Sequence, residues 1–388
     1  MRELKFIHCA DIHLNAPFKE NRNENYAETR RGDIKNSFLK ILNRVKDTNS
    51  DLLLISGDLY EHHFITRKTM DWLNAVLSQV KVPVIIIPGN HDPYIQNSWY
   101  RAWEWPDNVH ILSPDKPHIL LEELKVSIYG IGFSAFREDK PDLSVVPAPL
   151  KGYFNILMLH GTLDMDFTEQ AYKPVTTQEL KALNYDYYAL GHFHKTKIID
   201  NIANPGSPEP LGFDEKGSHG AFLVRLSESQ GEVKVESHFF ETACREYCEK
   251  TIDVSGCRTL EEIKIRILEV VEGLNYNRHL IRVTLKGRTE LSIDTEYLKD
   301  MFSDWLYFDI RNESTKAFDI DSLLKNPSLK GAFAREMLIR LESLEKLLKN
   351  DPENENLKRE KEVLDLALTF GLEALENGKL EIWGDFGQ

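Results

Sequence analysis

Cysteine is scarce in this chain, with four in 388 residues: Cys9, Cys244, Cys248 and Cys257. None makes a C-x-x-C pair, and the spacing from Cys244 to Cys248 suits a zinc knuckle poorly. A disulfide framework is therefore not expected, and the pattern reads as reduced thiols in a cytoplasmic protein. A Cys244–Cys248 redox pair is the other reading, with nothing nearby to support it. Long apolar runs are missing too. No stretch approaches the roughly 18 residues of a membrane helix, so no membrane partner is expected. The opening MRELKFIHCADIH turns polar too early for a secretory signal. Positive charge is in deficit: 48 Lys and Arg face 62 Asp and Glu, a net −14. That disfavours a protein gripping nucleic acid through a broad basic surface alone. It leaves room for local patches and for bound divalent ions that reverse the local field. One stretch, Lys19 to Lys46, carries eight basic residues, Arg30 among them, against four acids. It reads equally as a basic patch or as a solvated helix face.

What the chain does have is a series of apolar runs bounded by Gly, Pro or polar residues. Up to about residue 240 these are LKFIHCA, DLLLISG, VPVIIIPG, VSIYGIG, FNILMLH, YDYYALG, GAFLVRL and VKVESHF. Continuous runs of this kind suit strands buried on both faces, as in an α/β layered fold with two packed sheets. Between the first two runs, Ile34, Phe38, Ile41, Leu42 and Val45 recur at helical spacing. From 245 to 318 a strand–helix–strand–helix–strand pattern predicts a small α+β domain. From 328 to 388 the chain reads as helical. Phe333, Met337, Leu338, Leu341, Leu344 and Leu348 form one stripe there, and Val363, Leu366, Ala367, Phe370, Leu372 and Leu375 a second. These stripes suit either a hairpin packed on its own domain or a face offered to a partner.

Ligand-type residues sit at the ends of the strand-like runs. CADIH supplies Asp11 and His13; SGDLY supplies Asp58; PGNHD supplies Asn90, His91 and Asp92; LMLHG supplies His160; ALGHFH supplies His192 and His194. In open α/β sheets, sites form at the carboxyl ends of strands, so five such ends can converge on one pocket. Carboxylate and amide oxygens mixed with imidazole nitrogens suit divalent manganese, iron or zinc. Seven candidate ligands (Asp11, His13, Asp58, Asn90, His160, His192 and His194) are too many for one ion and suit two. Asp58, the single acid of its strand end, is the natural bridge. Such a pair forms a clamp for phosphoryl transfer. A lone D-x-H or H-x-H would carry little weight. The five pieces in this order, each at a strand end, carry much more.

The order D-x-H, G-D, G-N-H-D, H and G-H-x-H resembles the calcineurin-like metallophosphoesterase superfamily. The framing FIHCADIHLNAPF, LLLISGDLY, PVIIIPGNHDPY and YYALGHFHK is similar to that of the SbcD-type DNA repair exonucleases. The resemblance covers residues 1–215 by motif and is only architectural beyond about 240. It implies a four-layer sandwich, with two packed mixed sheets flanked by helices, over residues 1–240. It further implies a capping domain over 245–318 and a helical ATPase-binding tail over 328–388. By that resemblance Asp11, His13, Asp58 and His194 would hold one ion, and Asp58, Asn90, His160 and His192 the other. His91 would be the catalytic histidine, with Asp92 orienting it; a simple turn acid is the alternative for Asp92. There is one departure. Many relatives carry a phosphate-positioning histidine three residues after the G-D aspartate, where this chain has Glu61, followed by His62 and His63. His62 would then be the substrate-binding substitute, unless it is an exposed loop histidine.

The resemblance thus implies a manganese-dependent DNA nuclease, exonucleolytic on duplexes and endonucleolytic on single strands. It would work in repair with an SbcC-like SMC-type ATPase and as a homodimer through the first domain. A phosphodiesterase or phosphatase acting on nucleotides or small phosphoesters shares the chemistry, and the acidic balance favours it. The extra domain and helical region argue against it, because a small substrate needs neither. A non-catalytic ATPase scaffold is the third reading. Such a protein should have lost a ligand, and none of the seven is missing.

Overall fold

In the computed structural model, which describes residues 2–18, 24–164, 172–352 and 354–377, the apolar runs are strands. Lys19, Glu20 and Arg22 of the basic stretch, and residues 378–388 of the helical region, lie outside the described residues. The first six strands are β1 (Arg2–Cys9), β2 (Leu52–Ser56), β3 (Val84–Ile87), β4 (Val109–Ile111), β5 (His118–Leu121) and β6 (Val126–Ile131). The next six are β7 (Phe154–His160), β8 (Tyr187–Gly191), β9 (Lys197–Ile199), β10 (Ile202–Asn204), β11 (Gly220–Ser229) and β12 (Glu232–Glu241). They make two six-stranded sheets, ordered β12-β11-β1-β2-β3-β4 and β5-β6-β7-β8-β10-β9. β1 through β4 run parallel and β11 antiparallel; in the second sheet β6, β7, β8 and β10 run parallel, with antiparallel edges.

Side-chain parity explains why these strands read as unbroken apolar runs. In β1, β2 and β3, Leu4, Phe6, Leu52, Leu54, Ile85 and Ile87 share one core with Ile156, Met158, Tyr187 and Ala189 of β7 and β8. Their neighbours Ile7, Cys9, Leu53, Ile55 and Ile86 point the other way, onto helices α1 (Glu24–Asp47) and α2 (Arg67–Leu77). Ile34, Phe38, Ile41, Leu42 and Val45 of α1, read as a helical face, are all buried there. After the one-turn helix α3 (Trp99–Ala102), α4 (Thr177–Ala182) covers the outer face of the second sheet, where Leu180 joins Leu157, Leu159, Tyr188 and Leu190. Helix, sheet, sheet and helix are the four expected layers. The central strands β2, β3, β7 and β8 are buried on both faces, so no polar alternation survives in them.

The basic stretch is not a simple patch. Arg30 lies in the interior, where its guanidinium donates to Asp33 at 2.7 Å, Glu209 at 2.6 Å and the Pro210 carbonyl at 2.7 Å. Arg245 closes the group with a bond to Asp33 at 2.9 Å. Burying an arginine is costly unless its charge is paired, and two carboxylates pair it here, although Arg30 Nε is left without a partner.

The chain divides into two units. One joins Met1–Cys248 to Leu274–Ile281 and Asp304–Tyr307; the other comprises Glu249–Gly273, Arg282–Ser303 and the chain from Phe308 onward. The predicted strand–helix pattern is seen as β13 (Glu246–Asp253), α5 (Leu260–Val271), β14 (His279–Lys286), α6 (Thr295–Asp300) and β16 (Phe308–Asn312). β13, β14 and β16 form a three-stranded sheet, and the short strands β15 (Arg288–Thr289) and β17 (Thr315–Lys316) pair beside it. After α7 (Ile320–Lys325), α8 (Leu329–Asn350) and α9 (Glu355–Asn377) pack as a hairpin. Phe333 of α8 fills the space over Gly371, where a Cβ would lie 2.2 Å from its ring. The expected α8 stripe is buried at Met337, Leu341 and Leu344, whereas most of the α9 stripe is not. α8 buries Gly331, Ala334, Met337, Leu341 and Leu344, while Val363, Leu366 and Leu375 of α9 are exposed. Among the described residues, no helix is long and apolar enough to cross a membrane.

Candidate metal centre

The carboxyl ends of β1, β2 and β3 in one sheet and of β7 and β8 in the other open on a single site. All seven residues predicted as ligands are brought together there. Asp11, His13 and His194 form one group and Asp58, His160 and His192 a second, with ligand atoms within 4.8 Å of one another in each. The Asp58 carboxylate lies between the two, with Oδ2 3.3 Å from His160 Nε2 and 3.7 Å from His13 Nε2. Asn90 Oδ1 stands 3.1 Å from His160 Nε2 and 3.0 Å from His192 Nδ1.

The backbone gives up conformational ease to present these groups. Asp11, His13, Asp58 and His192 all have positive φ, at 53°, 51°, 51° and 106°. Each such residue costs on the order of 1–3 kcal/mol and persists where the surroundings overdetermine it, as at functional sites. The turn into Asp58 needs Gly57, at φ +90°, because a Cβ there would lie 2.2 Å from the His160 ring.

Hydrogen bonds fix which nitrogen each imidazole presents. His13 places Nδ1 on Glu61 at 2.9 Å, and His194 places Nδ1 on Glu215 at 2.5 Å. Their Nε2 atoms then face each other at 3.1 Å. His160 places Nδ1 on the Ser56 carbonyl at 2.8 Å and aims Nε2 at Asp58 and Asn90. A histidine with one nitrogen on an oxygen acceptor and the other turned toward shared carboxylates is oriented as metal-ligating histidines are. The donor set therefore fits two divalent ions of the kind that imidazole and carboxylate oxygen suit.

The charge environment is mixed. Burial pushes the Asp11 carboxyl up, opposed by the neighbouring His160 and His194. Burial acts the same way on Asp58, but His160 and His13 outweigh it and hold the carboxyl well below the usual range. Burial lowers His160 and His194, yet Asp58 lifts the first to about 9 and Glu215 the second to about 9. Burial beside His160 pushes His192 down to about 3.

His91 lies at the rim with 45% of its side chain exposed, its Nδ1 3.0 Å from Glu61 Oε2 and its backbone N–H on Asp58 Oδ1 at 2.8 Å. Burial would lower it, but the bond to Glu61 and the Asp58 charge lift it to about 9. The hydrogen bonds of Asp92 go to groups other than His91. It is buried beneath the site, where Oδ1 accepts from the backbone N–H of Gly89 at 2.6 Å and of Asp58 at 3.2 Å. Oδ2 accepts from Leu59 at 2.7 Å, Tyr60 at 3.2 Å and the Tyr100 hydroxyl at 2.7 Å. Asp92 thus ties the β2 and β3 loops together. Burial and Asp58 push its carboxyl up to about 6.

His62 belongs to neither ligand group; its ring lies against His63 and Phe136. Glu61 reaches the site instead, bonding His13 through one oxygen and His91 through the other. Burial opposes its ionisation, but those two histidines hold it at about 2. Glu61 was visible in sequence only as a departure from a pattern. Glu215 ends the stretch LGFDE, in the loop between β10 and β11, and was not among the predicted site residues.

Residues 4–196 match the family described as calcineurin-like phosphoesterase. The metallophosphoesterase YhaO of Bacillus subtilis (strain 168), described as uncharacterized, is 29% identical over 251 residues, covering 61% of this chain and 60% of that protein. The DNA double-strand break repair protein Mre11 of Methanopyrus kandleri is 25% identical over 300 residues, covering 68% of this chain and 62% of that protein. That of Sulfurisphaera tokodaii is 25% identical over 340 residues, covering 82% and 83%. The chain thus spans about three fifths of the length of the first two relatives. Through residues 4–196 it belongs to the calcineurin-like metallophosphoesterases, a family of hydrolases with a dinuclear divalent metal site.

Proposed function

We propose that this protein is a manganese-dependent DNA nuclease in which Asp11, His13, Asp58 and His194 hold one ion and Asp58, Asn90, His160 and His192 the other. The observation that carries the reading is the Asp58 carboxylate lying between two histidine groups whose Nδ1 atoms are tied to Glu61, Glu215 and Ser56. Two divalent ions, when bound, supply charge to the phosphate oxygens and activate water for attack. The chain's own part is orientation and proton supply. His91, held through Nδ1 by Glu61, donates a proton from Nε2 to the leaving oxygen. Similarity to two proteins named for DNA double-strand break repair favours DNA over a small phosphoester.

The helical region would dock an SbcC-like ATPase, and residues 245–318 would steer DNA toward the ions. Ile339 at 61% exposure and Val363 at 58% leave apolar surface on that hairpin, which supports a partner role. A cytoplasmic protein and a homodimer through the first domain complete the reading.

The test compares manganese-dependent cleavage of end-labelled duplex and hairpin DNA with hydrolysis of a cyclic nucleotide. DNA cleavage that Asp58→Asn reduces by about a hundredfold or more is expected, from loss of a shared ligand. Hydrolysis of the cyclic nucleotide alone would replace the nuclease by a small-molecule phosphodiesterase. Equal trace activity in wild type and Asp58→Asn would leave a scaffold.

A further inference from the structure

Next to His91 the surface carries aromatic rings that neither the ligands nor the proton donor uses. His63 and Phe136 stack, with ring centroids 5.0 Å apart and planes 15° from parallel. His62 meets them edge-on, 5.4 Å from His63 and 5.7 Å from Phe136. The group is tied to the site through the backbone, because the His62 N–H donates to the His91 carbonyl at 3.0 Å. Phe136 keeps 37% of its surface in water although it is part of a stack. A single exposed ring needs no explanation, but stacked rings beside a phosphate site are a different matter.

Basic residues lie close to the rings in sequence. Arg67 and Lys68 open α2, a few residues after His63, and Arg137 follows Phe136; all three are exposed. The His62 Nδ1 is buried without a hydrogen-bond partner.

We infer that His63 and Phe136 are a nucleobase platform: they stack the base of the nucleotide next to the scissile phosphate, while Arg67, Lys68 and Arg137 meet the flanking backbone phosphates. Rings interleaved with cations are the general means of holding a single strand without reading its sequence. A base can stack there only after leaving its duplex, so the platform selects an unpaired nucleotide at the cleaved linkage. The chemistry favours a base over an apolar protein side chain, since the rings adjoin the proposed phosphate site through the His62–His91 backbone bond. The inference rests on the nuclease reading above and narrows its substrate.

The test measures kcat/KM of the full chain with added manganese on two single-stranded oligonucleotides of one sequence. One is intact; the other has tetrahydrofuran abasic residues on both sides of the cleaved linkage. The wild type should prefer the intact strand by roughly tenfold or more. Phe136→Ala should bring that ratio close to one, and Phe136→Trp should keep it. Where Phe136→Ala does not fold, the wild type and Phe136→Trp are compared without metal. Both should quench a 2-aminopurine placed beside the linkage, and unquenched fluorescence would overturn the platform. A folded Phe136→Ala that retains the wild-type ratio would overturn it while leaving the nuclease reading intact. A wild type that hydrolyses p-nitrophenyl phosphate but neither oligonucleotide would overturn both.

Discussion

Glu61 stands where a substrate-contacting histidine was the pattern to expect, and it acts on two histidines at once. One carboxylate oxygen fixes His13, a proposed ligand, and the other holds His91, the proposed acid. Their roles separate by experiment. His91→Ser should retain two manganese ions per chain by elemental analysis and lower kcat by about 10²–10⁴, the usual worth of a positioned proton donor. Metal loss in that variant would mean that a ligand has been taken for an acid. Glu61→Gln keeps a hydrogen-bonding oxygen but removes the charge, and should lower kcat about tenfold with KM little changed. Residues of this supporting kind were the least legible in the sequence. A ligand sits at a strand end and betrays itself by place and type. Glu215 is recognisable only once the fold carries its loop back to His194. Asp92 had two readings in G-N-H-D, a partner for His91 or a turn acid, and its depth makes it a brace for four backbone donors and a tyrosine.

The central strands were legible because both of their faces are buried, so each run is apolar from end to end, and the ligand groups mark where it stops. β4, β5, β9 and β10 were not read in advance. Each has three or four residues, too few to show a period, and each lies at or beside a sheet edge. One polar residue inside a run also escaped functional notice. His8 of β1 faces the second sheet, its Nδ1 3.0 Å from the Tyr187 hydroxyl and its Nε2 3.0 Å from the Leu190 carbonyl. Burial pushes it down to about 3 from an ordinary 6.5, against the lift from the Leu190 carbonyl. Between those values the unfolded chain binds a proton that the folded chain refuses. His8 therefore contributes stability that is complete above about pH 6.5 and falls away as the pH drops toward 3. Relative to His8→Gln, the wild type should lose about 1.4 kcal/mol per pH unit between pH 6 and 4 in urea unfolding. Parallel stability curves for the two proteins would show that His8 does not stay neutral in the fold.

At the scale of the whole molecule, sequence order and folding unit do not coincide. Linear reading places a boundary near residue 240, but the first unit also takes in Leu274–Ile281 and Asp304–Tyr307. Tyr247, Leu280 and Tyr307 are buried in the same core as Phe38, Leu73 and Phe213. The Tyr247 and Phe213 rings meet at 4.7 Å, and Tyr307 meets Phe213 at 5.5 Å and Tyr26 at 5.3 Å. Nothing local announces this, because Leu280 and Tyr307 each begin a segment that continues into the other unit. Two truncations test it. A chain ending at residue 327 keeps every residue of the first unit and should unfold, by tryptophan fluorescence, at the full-length urea midpoint, while losing any ATPase binding that the helical hairpin provides. A chain ending at residue 248 loses Leu280 and Tyr307, each worth about 1.5–3 kcal/mol of buried surface, and should unfold at clearly lower urea. Identical midpoints for the 248 and 327 chains would mean that these two side chains fill no part of the first core. Retained ATPase capture by the 327 chain would move the docking face off α8 and α9.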